Sequence, residues 1–182
     1  MLSPRPTTLR ILKRHTVLWR LKFLKEKFQL RLLLGDKVQE IVHFGSTSIP
    51  GITAKPIIDM QIAVDDFEDA FRLVSRIERL GYSYNGENDD IRQHNFTKGN
   101  PVAIHLYLLE SSDETWARRT AFRDHLKNNL EIAEEYADLK KRLASRFSDD
   151  LKSYQKGKLK FVEQVVRAAR GEVGMESTNQ LD

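Results

Sequence analysis

The chain has 182 residues, with 30 Lys+Arg, 26 Asp+Glu, five His, no Cys and a net charge of +4. A chain of this length fits one domain that buries roughly 70% of its unfolded surface without staples. The lack of cysteine excludes disulfides, zinc–thiolate sites, iron–sulfur clusters and thiol nucleophiles. No apolar run is long enough to span a membrane, and the modest charge permits a polyanionic partner without requiring one.

From Met1 to Lys25 there is no acid, while Arg5, Arg10, Lys13, Arg14, Arg20, Lys22 and Lys25 are basic. This is the composition of an organelle transit segment, or of a basic tail over residues 1–15 that runs into a solvated helix face. The tail is preferred, because fold-type patterning begins at Val17, and a cytoplasmic protein with no membrane partner is expected. Apolar residues then recur at Leu18, Leu21, Leu24, Phe28 and Leu32, with Trp19 and Phe23 beside them, at helical spacing. Gly35 ends that helix.

Glu40–Phe44 reads as a strand running into Gly45-Ser46-Thr47-Ser48. A second strand over Pro56–Val64 puts Ile58, Met60, Ile62 and Val64 on one face and Ile57, Asp59, Gln61 and Ala63 on the other. Asp65-Asp66 caps a helix over about Phe67–Leu80 that buries Phe71, Val74 and Ile77. Tyr82–Asp90 reads as a loop. Ile91–Lys98 and Val102–Leu109 form a hairpin about Gly99-Asn100-Pro101. Three helices follow, starting near Asp113, the last with Leu151, Tyr154, Phe161, Val162 and Val165 in its apolar pattern, and residues 171–182 read as a frayed tail. Partly segregated strands and helices give an α+β fold, with the domain over residues 16–170.

The stretch from His43 to Asp59 carries the chemistry. Gly45 lets backbone N–H groups approach an anion, the Ser46 and Thr47 hydroxyls add donors, and Asp59 can hold a Mg²⁺ that bridges the same phosphates. This block, His-Phe-Gly-Ser-Thr-Ser-Ile-Pro-Gly-Ile-Thr-Ala-Lys-Pro-Ile-Ile-Asp, resembles the GrpB family. So do His105-Leu106, Phe122-Arg123-Asp124-His125-Leu126 and the C-terminal Tyr136, Leu139, Lys140, Tyr154, Lys158 and Phe161. The resemblance spans about Thr16–Arg170. It implies a nucleotidyltransferase-like mixed sheet flanked by helices, with a C-terminal helical segment and a pocket beside the Gly-Ser loop. Fusion of such domains to dephospho-coenzyme A kinase in some bacteria points to an adenine-nucleotide or coenzyme A context.

Asp59 and His105 are then the candidate catalytic residues. Gly45, Ser46, Thr47, Lys55, Arg123 and Lys158 are candidates for nucleotide and phosphate binding. Asp59, with His105 as a second donor, is the candidate ligand for Mg²⁺ or Mn²⁺. Arg92, Lys140 and Tyr154 are further residues that can line the pocket, although Lys140-Lys141-Arg142 has the composition of a solvated face. Gln61 stands where a working nucleotidyltransferase carries its second metal-binding carboxylate, and Tyr107 where the family has a second His. Two readings stay open: transfer of a nucleoside monophosphate to an acceptor, or a non-catalytic nucleotide- or coenzyme A-binding module. An RNA-binding reading of the basic N-terminus ranks last, because no strand shows paired exposed aromatics.

Overall fold

The structure, a computed structural model, describes residues 16–88 and 91–172; the expected tails at either end fall outside these, apart from Gly171 and Glu172. Helix α1 (Val17–Leu34) is followed by strands β1 (Glu40–Phe44) and β2 (Ile58–Val64), then by the short helices α2 (Phe67–Ala70) and α3 (Val74–Glu78). Strands β3 (Ser83–Asn88), β4 (Gln93–Lys98) and β5 (Ile104–Glu110) come next. Helices α4 (Glu114–Asn128), α5 (Leu130–Arg146) and α6 (Leu151–Ala169) complete the chain. The five strands form one sheet in the order β1-β2-β5-β4-β3. Only β2 and β5 run parallel, so the sheet is mixed and the α+β expectation holds.

Period-two alternation sorts β2 and β5 onto two faces. Ile58, Met60, Ile62 and Val64, with Ile104, Leu106 and Leu108, form one core with α1 and α3. Each such side chain, fully withdrawn from water, contributes about 1.5–3 kcal/mol. The other face turns Asp59, Gln61, His105 and Tyr107 toward the C-terminal helices, which build a second core from Leu126, Tyr136, Leu139, Phe161 and Val165 with Ile49 and Ile52. The molecule is three layers: α1 with α2 and α3, the sheet, and α4–α6.

Four sequence expectations change. In α1 the buried residues are Trp19, Phe23, Glu26, Leu30 and Leu34, whereas the stripe Leu18, Leu21, Leu24, Phe28, Leu32 faces outward. A helix apolar on both sides gives periodicity no means of choosing the buried one. The helix expected over Phe67–Leu80 is broken by a 3₁₀ turn at Phe71–Leu73, and Phe71 is exposed while Val74 and Ile77 are buried. Much of the expected loop at Tyr82–Asp90 is strand β3, an edge strand whose polar residues pair with β4. Leu151, read as part of the last helix's apolar pattern, is 54% exposed.

Candidate functional site

Gly45 leaves β1 with φ 66° and ψ −177°, a conformation open only to glycine. A Cβ there would lie 3.1 Å from Asp59 Cβ, so the bare backbone is also what admits the carboxylate. The 3₁₀ turn Ser46–Ser48 follows and is closed by Ser48 Oγ donating to the Gly45 carbonyl at 2.7 Å. Thr47 Oγ1 donates to the Ile57 carbonyl at 3.1 Å, and its single proton is then engaged. His43 Nε2, 2.9 Å away, must therefore donate to Thr47. Thr47 is 2% exposed and ties the loop to the strand that carries Asp59. Burial drives the phenol of Tyr136, behind the loop, upward.

Asp59 and His105 sit side by side in the parallel β2/β5 register. His105 Nδ1 lies 3.2 Å from Asp59 Oδ1. A carboxylate only accepts, so Nδ1 carries the proton and Nε2 is the acceptor of the neutral ring. Beside them burial, reinforced by the Asp59 charge, pushes the Tyr107 phenol up to about 12.

A cavity of about 440 Å³ opens here, between the Ser46–Thr47 turn, the first residues of β2 and β5, and helices α5 and α6. Its lining includes Ser46, Thr47, Lys55, Asp59, His105, Tyr107, Lys140, Tyr154 and Lys158. Six of the eight candidates from sequence are thus brought to one cavity, and Gly45 abuts it through Asp59. Arg123 is not brought there: it pairs with Asp124 at 2.7 Å and reaches the His43 carbonyl. Arg92 lies elsewhere too, bound to Glu68 and over the Phe67 ring.

The lysines dominate the electrostatics. Lys140 is 3% exposed, donates to the Thr53 carbonyl at 2.7 Å and lies 4.8 Å from the Tyr136 ring centre. Burial, with Lys158 and Lys141 nearby, lowers its ammonium to about 7. Lys158, over the Tyr154 ring, is lowered by burial to about 8 although the Asp59 charge pulls the other way. Lys55 is lowered by burial and supported by Asp59. Lys140 is therefore no solvated residue. It falls three and four residues after Ala137 and Tyr136 on the buried stripe of α5, and a lone charge on an apolar stripe was the available signal. Ser148, Asp149 and Gln155 also line the cavity and carry no sequence signal.

Gln61 is fully buried; its Nε2 lies 3.3 Å from Thr120 Oγ1 of α4, and its Oε1 has no hydrogen-bond partner. Arg119, with its guanidinium 5.0 Å from the Phe44 ring and 4.9 Å from the Tyr107 ring, closes the same end. The position expected to hold a second metal ligand is therefore covered by α4. Among the described residues no group of three or more His, Cys, Asp or Glu is placed to hold a metal ion. Asp59 with His105 fits one cation whose remaining ligands come from a bound molecule, and does not fit a pair of cations.

A family model described as "GrpB protein" matches residues 11–168. The UPF0157 protein YqkA of Bacillus subtilis is 38% identical over 146 residues, which cover 80% of this chain and 43% of that protein. This chain therefore spans less than half of that relative. The glutamate-rich protein GrpB of Alkalihalophilus pseudofirmus is 34% identical over 162 residues, covering 86% of this chain and 93% of that one. The crystal structure of conserved protein GrpB from Enterococcus faecalis superposes with a TM-score of 0.80 at 30% identity, covering 89% of this chain and 98% of that one.

Proposed function

The chain belongs to the GrpB family, and on that premise we propose that its cavity binds the phosphate chain of a nucleotide or a coenzyme A-like ligand. The lysine trio carries this reading. Lys55, Lys140 and Lys158 converge on one cavity, and burial holds the ammonium groups below their ordinary range. A site that strains its cations in this way gains when a polyanion enters. Ser46 lines the same cavity as the lysines, and Tyr154, with Lys158 over its ring, offers an aromatic wall for a base. One Mg²⁺ or Mn²⁺ would sit between Asp59 and the ligand's phosphates.

Two chemical outcomes follow from one site. The Asp59-oriented imidazole of His105 can take a proton from an acceptor hydroxyl, as transfer of a nucleoside monophosphate requires. The buried Gln61 favours the other reading, binding without two-metal transfer. Calorimetry with ATP, coenzyme A and pyrophosphate, each with Mg²⁺ and with chelator, tests the site. Binding that weakens about tenfold or more in Lys158→Met and Lys140→Met supports it. Unchanged binding in both variants places the ligand elsewhere. Label transfer from α-labelled ATP to acceptors, abolished in His105→Ala, then separates transferase from binding module.

A further inference from the structure

Helix α1 is apolar on two opposite sides, and the fold uses one. Trp19, Phe23, Leu30 and Leu34 face the sheet. Facing away are Val17, Leu18, Leu21, Leu24, Phe28 and Leu32, between 45% and 77% exposed. At about 100° per residue these six fall within about 120° of the helix circumference, centred opposite the buried residues. Scattered exposed leucines need no explanation, but a contiguous stripe along an 18-residue helix does.

Charge indicates what covers it. The stripe is flanked by Arg20 and Lys27 on one side and by Lys22 on the other, and Lys25 lies at that second edge, between Leu32 and Leu18. The one acid in the helix, Glu26, points inward, where it meets Lys98 at 2.8 Å and accepts from Tyr82 Oη. The outward half of α1 thus carries no negative charge. Lys127 of α4 adds a cation near Arg20, while Arg123 is paired with Asp124. The fifteen residues that precede Thr16 add Arg5, Arg10, Lys13 and Arg14, again without an acid. A second copy of this chain laid against the stripe would bring these cations together, so self-association is opposed. An apolar stripe edged by cations on both sides matches an anionic lipid surface, where acyl chains take the leucines and phosphates take the lysines.

We propose that α1 docks the protein flat onto an anionic lipid surface, with Leu18, Leu21, Leu24, Phe28 and Leu32 inserted and Arg20, Lys22, Lys25 and Lys27 at the headgroups. No spanning segment is required, so the contact is peripheral and reversible. The sequence-based expectation of no membrane partner rested on the lack of such a segment.

Flotation of the full chain with vesicles of phosphatidylcholine, alone or mixed with phosphatidylglycerol, tests this. The expected result is at least about tenfold stronger association with the mixed vesicles, declining in high salt. The pairs Phe28→Ser with Leu32→Ser, and Lys22→Glu with Lys25→Glu, should each lower it about tenfold while thermal unfolding without lipid stays unchanged. Phe28→Trp should keep binding and add a blue-shifted emission component with mixed vesicles. That component distinguishes insertion from adsorption by charge alone. Three outcomes overturn the proposal: no flotation with either vesicle, which leaves the face to a protein partner; full binding by the Phe28/Leu32 pair; or a dimer in solution that Phe28→Ser dissolves.

Discussion

At Gly45 a backbone angle and a carboxylate meet. The residue adopts φ 66° and abuts Asp59 where a side chain would stand. Gly45→Ala is expected to cost about 3 kcal/mol in denaturant unfolding, from the positive φ and the displaced Asp59 together. Phosphate affinity should fall with it. Asp59 and His105 were legible because strand alternation is a period of two, and one apolar face fixes the other. Thr47 was legible as a loop residue but not as the partner of Ile57 and His43, since that role depends on a neighbouring strand. Lys140 was obscured by Lys141 and Arg142, which are solvated as a charge run usually is. Gln61 shows the same limit: its alternation was right, but the cover supplied by Thr120 comes from 59 residues away. Gln61→Asp should therefore destabilise the protein by about 2 kcal/mol, because a carboxylate replaces a neutral amide at a fully buried position. A second tightly bound Mn²⁺ in that variant, measured by calorimetry with ATP present, would show that α4 leaves the position open.

Helix α1 is held to the sheet by more than its apolar side. Glu26 on the helix binds Lys98 on β4, and their side chains are 10% and 24% exposed. Tyr82 Oη donates to the same carboxylate at 2.8 Å, and Lys98 also lies over the Tyr82 ring. Lys98→Met leaves Glu26 charged and enclosed, and should cost about 2–3 kcal/mol. Glu26→Leu combined with Lys98→Met should recover most of that loss, because a buried pair replaced by apolar groups loses little net energy. If the double variant is no better than the single one, the carboxylate has a further structural role through Tyr82. These contacts also explain why helical spacing alone does not pick the packing face of α1. A glutamate at 26 reads as solvated from sequence, and its presence on the inner face hides the Trp19, Phe23, Leu30, Leu34 series. Elements with one apolar side, such as β2 and α5, gave no such difficulty.

The whole molecule carries its ionisable groups in a pattern that gives stability a definite pH dependence. Lys140 and Lys158 have folded values of about 7 and about 8 against an ordinary 10.5. Between those limits the unfolded chain binds more protons than the folded one, so stability rises with pH from about 7 toward 10. Tyr107, held up to about 12 from an ordinary 10.0, works in reverse: the unfolded chain loses its proton first, and stability falls above about 10. The thermal midpoint of the ligand-free protein should accordingly climb from pH 7 to 9. In Lys140→Met with Lys158→Met that climb should flatten. A bound polyanion raises both lysines, so its binding takes up protons above pH 7 and weakens as pH increases. Pyrophosphate should therefore raise the midpoint most near pH 7 and least near pH 9, narrowing the difference between the two conditions. Thermal scans across this range, with and without pyrophosphate, measure both slopes at once. A midpoint that falls between pH 7 and 9 in the free protein would mean that the lysines are not strained. A pyrophosphate effect that grows with pH would mean that the anion binds away from them.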